Sequence, residues 1–297
     1  MIGRRRFLAL SAVAVAAPAA AGLAGRLHAA PPVQEWRGTA LGADVTLRVE
    51  GATAPAARAF FAEAARALAS VEDRFSLYRG SDLMRLNALG HLAWPSQEMR
   101  DLLALARRIH NATGGAFDPS VQPLWLALRD GRAPDPGLLG FAEVAVSREE
   151  LRLPRPGMGL TLNGIAQGLA ADRLAAVAAA HGLGEVLIDA GEIVGRGRRW
   201  EAGIAAPDGR MLRRIGLRDR ALATSAPFGT RIGAAGGPHI LDPRGGPPRW
   251  SVVSVSAPGA ALADALSTAF CLMERDAIDR ALGAFPDARV EHLEPLA

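Results

Sequence analysis

Several short stretches carry side chains suited to chemistry. HILDPRGG places His239, Asp242 and Arg244 within six residues, followed by Gly245 and Gly246. An imidazole titrating near ~6.5 can accept a proton from an attacking hydroxyl at neutral pH, and glycines let a backbone close around a phosphate. The stretch reads either as a phosphate-handling loop or as a polar strand end. In ADALST, Asp264 and Thr268 stand four residues apart. On a helix that spacing sets a carboxylate and a hydroxyl on one face, which suits either a hard cation such as Mg²⁺ or a simple intrahelical hydrogen bond.

Three further stretches could contact a ligand. NGIAQG sets Gly164 at a helix start, where unpaired N–H groups favour a phosphate and where a flexible residue is also structurally useful. TGGAFDPS presents Asp118 after a glycine turn, as a ligand contact or as an exposed turn carboxylate. FSLYRG holds the only tyrosine, Tyr78, whose ring could stack on a planar heterocycle or pack into the core.

The elements that must position these residues can be read from periodicity. GADVTLRVE alternates Val45, Leu47 and Val49 as a half-buried strand. Phe60, Ala64, Ala67, Leu68 and Val71 recur at helical spacing, and so do Met99, Leu102, Leu103, Ala106 and Ile109 in a helix from about 97 to 110 that stops at Gly114 and Gly115. A third helix is expected to begin after Asn163 and Gly164 and to end at His181 and Gly182, running into the apolar strand EVLIDA. RALATS, SVVSVSA and DARVEHLE read as strands, and ALADALSTAFCLM as a helix between the last two. Strands and helices mix without a βαβ period, which predicts an α+β fold with a largely antiparallel sheet flanked by helices. Proline and glycine cluster at 132–160 and 233–248, as loops or a subdomain junction.

Composition removes several function classes. All 34 basic residues are arginine, so the pI of about 10.6 reflects a side chain that does not titrate. Arg4, Arg5, Arg6 and Arg26 lie in the first 30 residues with no acid, and account for the whole formal net charge of +4. The neutral remainder, with dispersed arginines, lacks the basic stripe that nucleic acid or an anionic membrane would require. Without lysine there is no P-loop. Cys271 is the sole cysteine, which excludes intrachain disulfides and thiolate metal clusters.

Residues 1–30 themselves read as an export leader. Arg4 and Arg5 precede Phe7 and Leu8, then a weakly hydrophobic alanine-rich run interrupted by Pro18, in the manner of a twin-arginine signal. Cleavage after Ala21 or Ala30 would leave a periplasmic protein whose folded domain spans residues 31–297, whereas an uncleaved leader would anchor it.

In order along the chain, DRFSLYRGSDLMRLN, TGGAFDPSVQPL, NGIAQGLAADR, EVLIDAGEIVGRG, ATSAPFGT, HILDPRGG and ADALSTAF resemble, block for block, the ApbE family of FAD:protein FMN transferases, over roughly residues 35 to 295. The resemblance implies an ApbE-like fold with a smaller subdomain. It also implies a Mg²⁺-dependent enzyme that cleaves the pyrophosphate of FAD, releases AMP and joins FMN through a phosphoester to a threonine of a partner flavoprotein, here in a periplasmic or membrane-bound electron-transfer subunit. By position, Asp264 and Thr268 match the side-chain metal ligands and Gly164 a main-chain one. Tyr78, Ala116, Phe117 and Asp118 match flavin-nucleotide contacts. His239 matches the base, also touching the nucleotide, and Asp242 belongs to the same catalytic loop. Thr161 and Gln167 fall at further contact positions but depart from the pattern, where many relatives have aspartate and lysine or glutamate, and Gly245 replaces the usual threonine. Two alternatives stand beside the transferase: an FAD pyrophosphatase, in which water replaces the threonine, and a non-catalytic flavin carrier, which these departures motivate.

Overall fold

The structure, a computed structural model, describes residues 32–296; the expected leader lies outside the described residues. In chain order the elements are β1 (Val33–Ala40), β2 (Ala43–Glu50), α1 (Ala54–Phe75), α2 (Asp82–Leu89), β3 (His91–Ala93), α3 (Gln97–Ala112), α4 (Gln122–Arg129), β4 (Ala145–Val146), β5 (Glu150–Arg152), α5 (Asn163–Ala180), β6 (Val186–Asp189) and β7 (Ile193–Arg196). There follow β8 (Trp200–Ala205), β9 (Met211–Leu217), β10 (Arg220–Ser225), β11 (Arg231–Ile232), β12 (Gly237–Pro238), β13 (Trp250–Ala257), α6 (Ala260–Phe270), α7 (Arg275–Leu282) and β14 (Arg289–Pro295).

Seven strands form one sheet in the order β1-β2-β6-β7-β10-β13-β14, with every neighbouring pair antiparallel. The expected α+β architecture is therefore the observed one. Alternation decides which residues face which layer. In β6, Val186 and Ile188 join the main core beneath α1, α5 and α6, while Leu187 faces the other way. In β10, Ala221 and Ala223 face the helices and Leu222 faces the opposite side. That opposite side is covered by the β8–β9 hairpin through Trp200, Ile204 and Leu217. The run EVLIDA is continuously apolar because its strand is covered on both faces.

A smaller three-stranded sheet, β3-β5-β4, stands beside α2. It shares the main core through Leu92, Leu151 and the α3 face, where all five expected residues from Met99 to Ile109 are buried. Ser96 caps α3, its side chain accepting from Met99 N–H. Two expectations shift. Helix α6 ends at Phe270, three residues before the apolar run does, and Ala67 is only half-buried on α1 while Phe60, Ala64, Leu68 and Val71 are fully buried. Among the described residues no helix is long and apolar enough to cross a membrane.

Candidate active site at the crossing of two helices

The site is organised where α5 crosses α6. Gly168 of α5 lies against the first turn of α6 so closely that a Cβ there would sit 2.3 Å from the carbonyl oxygen of Ala260. Its N–H donates to Oδ2 of Asp264 at 3.2 Å. The N-cap of α6 is Gly259, which has no side chain to offer, and Asp172 supplies the cap from α5 instead. Its two oxygens accept from Ala260 N–H at 2.7 Å and from Ala261 N–H at 2.9 Å. One turn before Gly168, Gly164 leaves helical geometry at φ −89°, ψ 21°, which redirects its carbonyl relative to the helical ladder. A Cβ on Gly164 would lie 2.9 Å from Thr268 Oγ1. The structure thus sets Gly164 against Thr268, with Asp264 one turn earlier on the same helix and held by Gly168.

The surroundings are anionic. Burial pushes the Asp264 carboxyl up to about 7 despite the Gly168 hydrogen bond, and the charge of Asp172 adds to the rise. Glu192, at the turn between β6 and β7, is 6% exposed; burial, and then the charges of Asp264 and Asp189, hold its carboxyl well above the usual range. Thr224 N–H donates to Glu192, yet Oε2 of Glu192 and Oδ1 of Asp189 are buried without a hydrogen-bond partner. Asp189 itself is pushed up to about 7, chiefly by burial. A hydroxyl chain completes the lining: Ser225 Oγ lies 2.7 Å from Ser267 Oγ and 3.3 Å from Thr268 Oγ1. Among the described residues no three His, Cys, Asp or Glu side chains converge in metal-binding geometry. The donors at the crossing are instead one carboxylate, one hydroxyl and a main-chain oxygen. That all-oxygen set, next to orphaned carboxylate oxygens, fits a hard divalent cation that retains several waters.

His239 follows the short β11–β12 hairpin. Its Nδ1 lies 2.9 Å from the carbonyl of Pro227 and 3.1 Å from that of Thr230, and both are acceptors. Nδ1 must carry the proton, so in the neutral ring Nε2 is the basic nitrogen. Burial lowers the pKa of His239 below its ordinary value, outweighing those two carbonyls. The hairpin that carries this histidine is pressed onto the end of α4, where a Cβ on Gly233 would meet the Leu128 carbonyl oxygen at 2.6 Å. Asp242 is placed differently. Its oxygens accept from Arg244, from the main-chain N–H at 2.9 Å and from the guanidinium at 2.8 and 3.0 Å, and Gly245 completes the turn at φ +83°. At that left-handed φ a glycine is favoured over the usual threonine.

The remaining expected contacts line the approach. Tyr78 is 55% exposed, and its phenol is hydrogen-bonded by the side chain of Asn163, the residue before Gly164. Arg129 at the end of α4 is close enough for its charge to act on that phenol. Ala116 and Phe117 are buried, and the Phe117 carbonyl accepts from His110 Nδ1 at 2.8 Å. Asp118 is not the exposed turn carboxylate that its glycines suggest. Its side chain is 8% exposed and caps a short 3₁₀ turn by accepting from Ser120 N–H. The Pro119 carbonyl accepts from Thr161 N–H at 2.8 Å, which ties this loop to the start of α5. Gln167, half-buried, packs its amide against Gly191 beside Glu192. His110, Asp118, Pro243 and Arg244 border one open cleft of about 290 Å³, so the Asp118 loop and the HILDPRGG loop share a cavity. Sequence reasoning missed Asp172, Glu192 and Asn163. Only the acidic residue after the DAG turn offered a local signal, and nothing in its spacing says which side it faces.

Comparison with known proteins gives a consistent set of relatives. The ApbE family profile matches residues 41–290. The FAD:protein FMN transferase of Treponema pallidum is 30% identical, with 71% of this chain and 72% of that protein covered. The enzyme of the same name from Salmonella typhimurium is 26% identical, covering 82% of this chain and 80% of its own. Among solved structures, the ApbE protein of Thermotoga maritima matches with a TM-score of 0.76 at 25% identity, over 89% of this chain and 97% of that one.

Proposed function

The chain belongs to the ApbE family, and from that premise we propose that it transfers FMN from FAD to a threonine of a partner protein, with Mg²⁺ bound and AMP released. In the reaction the threonine oxygen forms a bond to the FMN phosphorus, the bond from that phosphorus to the bridging oxygen breaks, and AMP departs with that oxygen. His239 takes the threonine proton at Nε2. Its Nδ1–H stays fixed on the Pro227 and Thr230 carbonyls, which orient the ring and hold the tautomer. Its lowered pKa keeps it unprotonated at neutral pH.

Asp264, Thr268 and the Gly164 carbonyl would hold the cation, which when bound neutralises pyrophosphate charge. Gly168 and Asp172 keep the carboxylate and its helix in place. Tyr78, with Asn163 hydrogen-bonded to it, offers a ring face for the flavin, and Asp118, next to the buried Ala116 and Phe117, borders the cleft shared with Arg244. Asp242 serves by shaping the turn that carries Arg244, and Thr161 and Gln167 contribute uncharged edges.

The observation that carries this reading is the convergence of Gly164, Asp264 and Thr268 at one helix crossing. The leader-like residues 1–30 support a periplasmic setting and an exported or membrane-bound electron-transfer protein as acceptor. The deciding experiment mixes purified protein, FAD, Mg²⁺ and a candidate exported acceptor, followed by mass spectrometry of the acceptor. The expected result is a gain of one FMN, less water, on a threonine, with one AMP per adduct. FMN and AMP appearing without any acceptor would replace the reading with a pyrophosphatase, and tight FAD binding with no turnover under any metal would replace it with a carrier.

A further inference from the structure

Glu192 immediately precedes the return strand β7 of the β6–β7 hairpin, and the strand's alternation, extended back by one residue, assigns it a side. Ile193 faces the β8–β9 hairpin and Val194 faces the helices, so Glu192, two residues before Val194, points to the helix side as well. β10 carries the connection. Ile193 pairs with Leu222, Thr224 N–H donates to the Glu192 carboxyl, and the next residue, Ser225, reaches Ser267 and Thr268 of α6. Glu192 therefore stands behind the same wall that holds Asp264 and Thr268, buried, with one oxygen unpartnered. None of the ion pairs among the described residues reaches Glu192, Asp264 or Asp189. Buried carboxylates of this kind are ordinarily paired with a cationic side chain or with a metal.

We propose that Glu192 is a positioning residue of the cation pocket, supplying with Asp264 a second buried negative charge that holds a divalent ion and its bound water in preference to a monovalent one. The inference rests on the reading of Asp264 and Thr268 as cation ligands. Glu192 acts through that ion and its neighbours and does not touch the flavin nucleotide. Outer carboxylates of metal sites commonly change metal affinity by about 10 to 100-fold when removed.

The test titrates Mg²⁺ alone into the full-length protein by calorimetry, with and without FAD, for wild type, Glu192→Gln and Glu192→Asp. Thermal midpoints are measured in EDTA and in Mg²⁺. Glu192→Gln is expected to bind Mg²⁺ about 10 to 100-fold more weakly, to discriminate less against Na⁺, and to melt in EDTA at or above wild type because an amide of the same shape replaces a buried carboxyl whose ionisation is costly there. Glu192→Asp keeps the charge and is expected to fall between the two. Unchanged Mg²⁺ affinity in Glu192→Gln overturns this inference alone, leaving the ligand reading intact. A lower midpoint in EDTA, or failure of both variants to fold, makes Glu192 part of the scaffold and overturns it too. Absence of Mg²⁺ binding by wild type with or without FAD overturns the ligand reading and this inference together.

Discussion

The N–H of Gly168 donates to Oδ2 of Asp264 across a helix crossing that leaves no room for a side chain on the glycine. Close helix packing and placement of the site carboxylate are therefore one event. Gly168→Ala must push α6 away from α5, because its Cβ would lie 2.3 Å from the Ala260 oxygen. A loss of about 1–3 kcal/mol is expected from such overpacking, together with a smaller stabilisation by Mg²⁺. Urea denaturation in EDTA and in Mg²⁺ measures both, and a variant as stable as wild type would show that the crossing is loose.

Asp172 caps α6 from a neighbouring helix. Asp172→Ala leaves the Ala260 and Ala261 N–H groups without their partners, at a cost of about 1–2 kcal/mol, the upper range for loss of a helix N-cap. Asp172→Asn, which retains one acceptor oxygen, should lose less. Equal denaturation midpoints for the two variants would contradict the capping role.

His239 governs the acid limb of activity. Its folded-state pKa is lowered by burial, so the ring is neutral above its ordinary value and becomes protonated only as the pH falls further. Turnover should be level through neutral pH and drop on the acid side, below ~6.5. Below that value the unfolded chain binds the proton more readily than the folded one, so this residue also makes stability fall with falling pH. His239→Ala should cut turnover by about 10² to 10⁴-fold, a far larger loss than any in FAD affinity. Full activity in that variant would remove the base assignment.

Metal-free protein should show the opposite trend from its buried acids. Asp264 and Asp189 are pushed up to about 7 and Glu192 is raised as well. Between the ordinary carboxylate range and about 7, the folded state binds protons that the unfolded state has released. Their contribution is fully present below the unfolded-state values and is lost as pH rises through the folded ones. Thermal midpoints in EDTA should therefore fall from pH 5 to pH 8, and saturating Mg²⁺ should flatten or reverse the slope. A midpoint that rises with pH in EDTA would mean that burial does not hold these carboxyls protonated.

Much of the scaffold could be read from local pattern. Val45, Leu47 and Val49 alternate into the core, and the five apolar residues of α3 fall on one buried stripe. Strand β1 and the β8–β9 hairpin are not legible in the sequence, since few apolar residues mark them: β1 buries only Ala40 and β9 only Leu217. Asp118 misled because a glycine turn before a carboxylate looks exposed, and only the fold shows the 3₁₀ turn that the side chain caps.

The sequence by itself determined that Asp264 and Thr268 share a helix face, because the period of the α-helix is a local property of the backbone. It also determined that an imidazole stands in a glycine-rich segment. Tertiary structure alone decided that Gly168, 96 residues away, would hold the Asp264 carboxylate, that Asp172 would cap the helix carrying it, and that Glu192 would turn its unpartnered oxygen to the same side of the sheet. It likewise fixed which nitrogen of His239 is basic. Those outcomes depend on desolvation and on close approach between distant segments, and neither is encoded in the spacing of neighbouring residues.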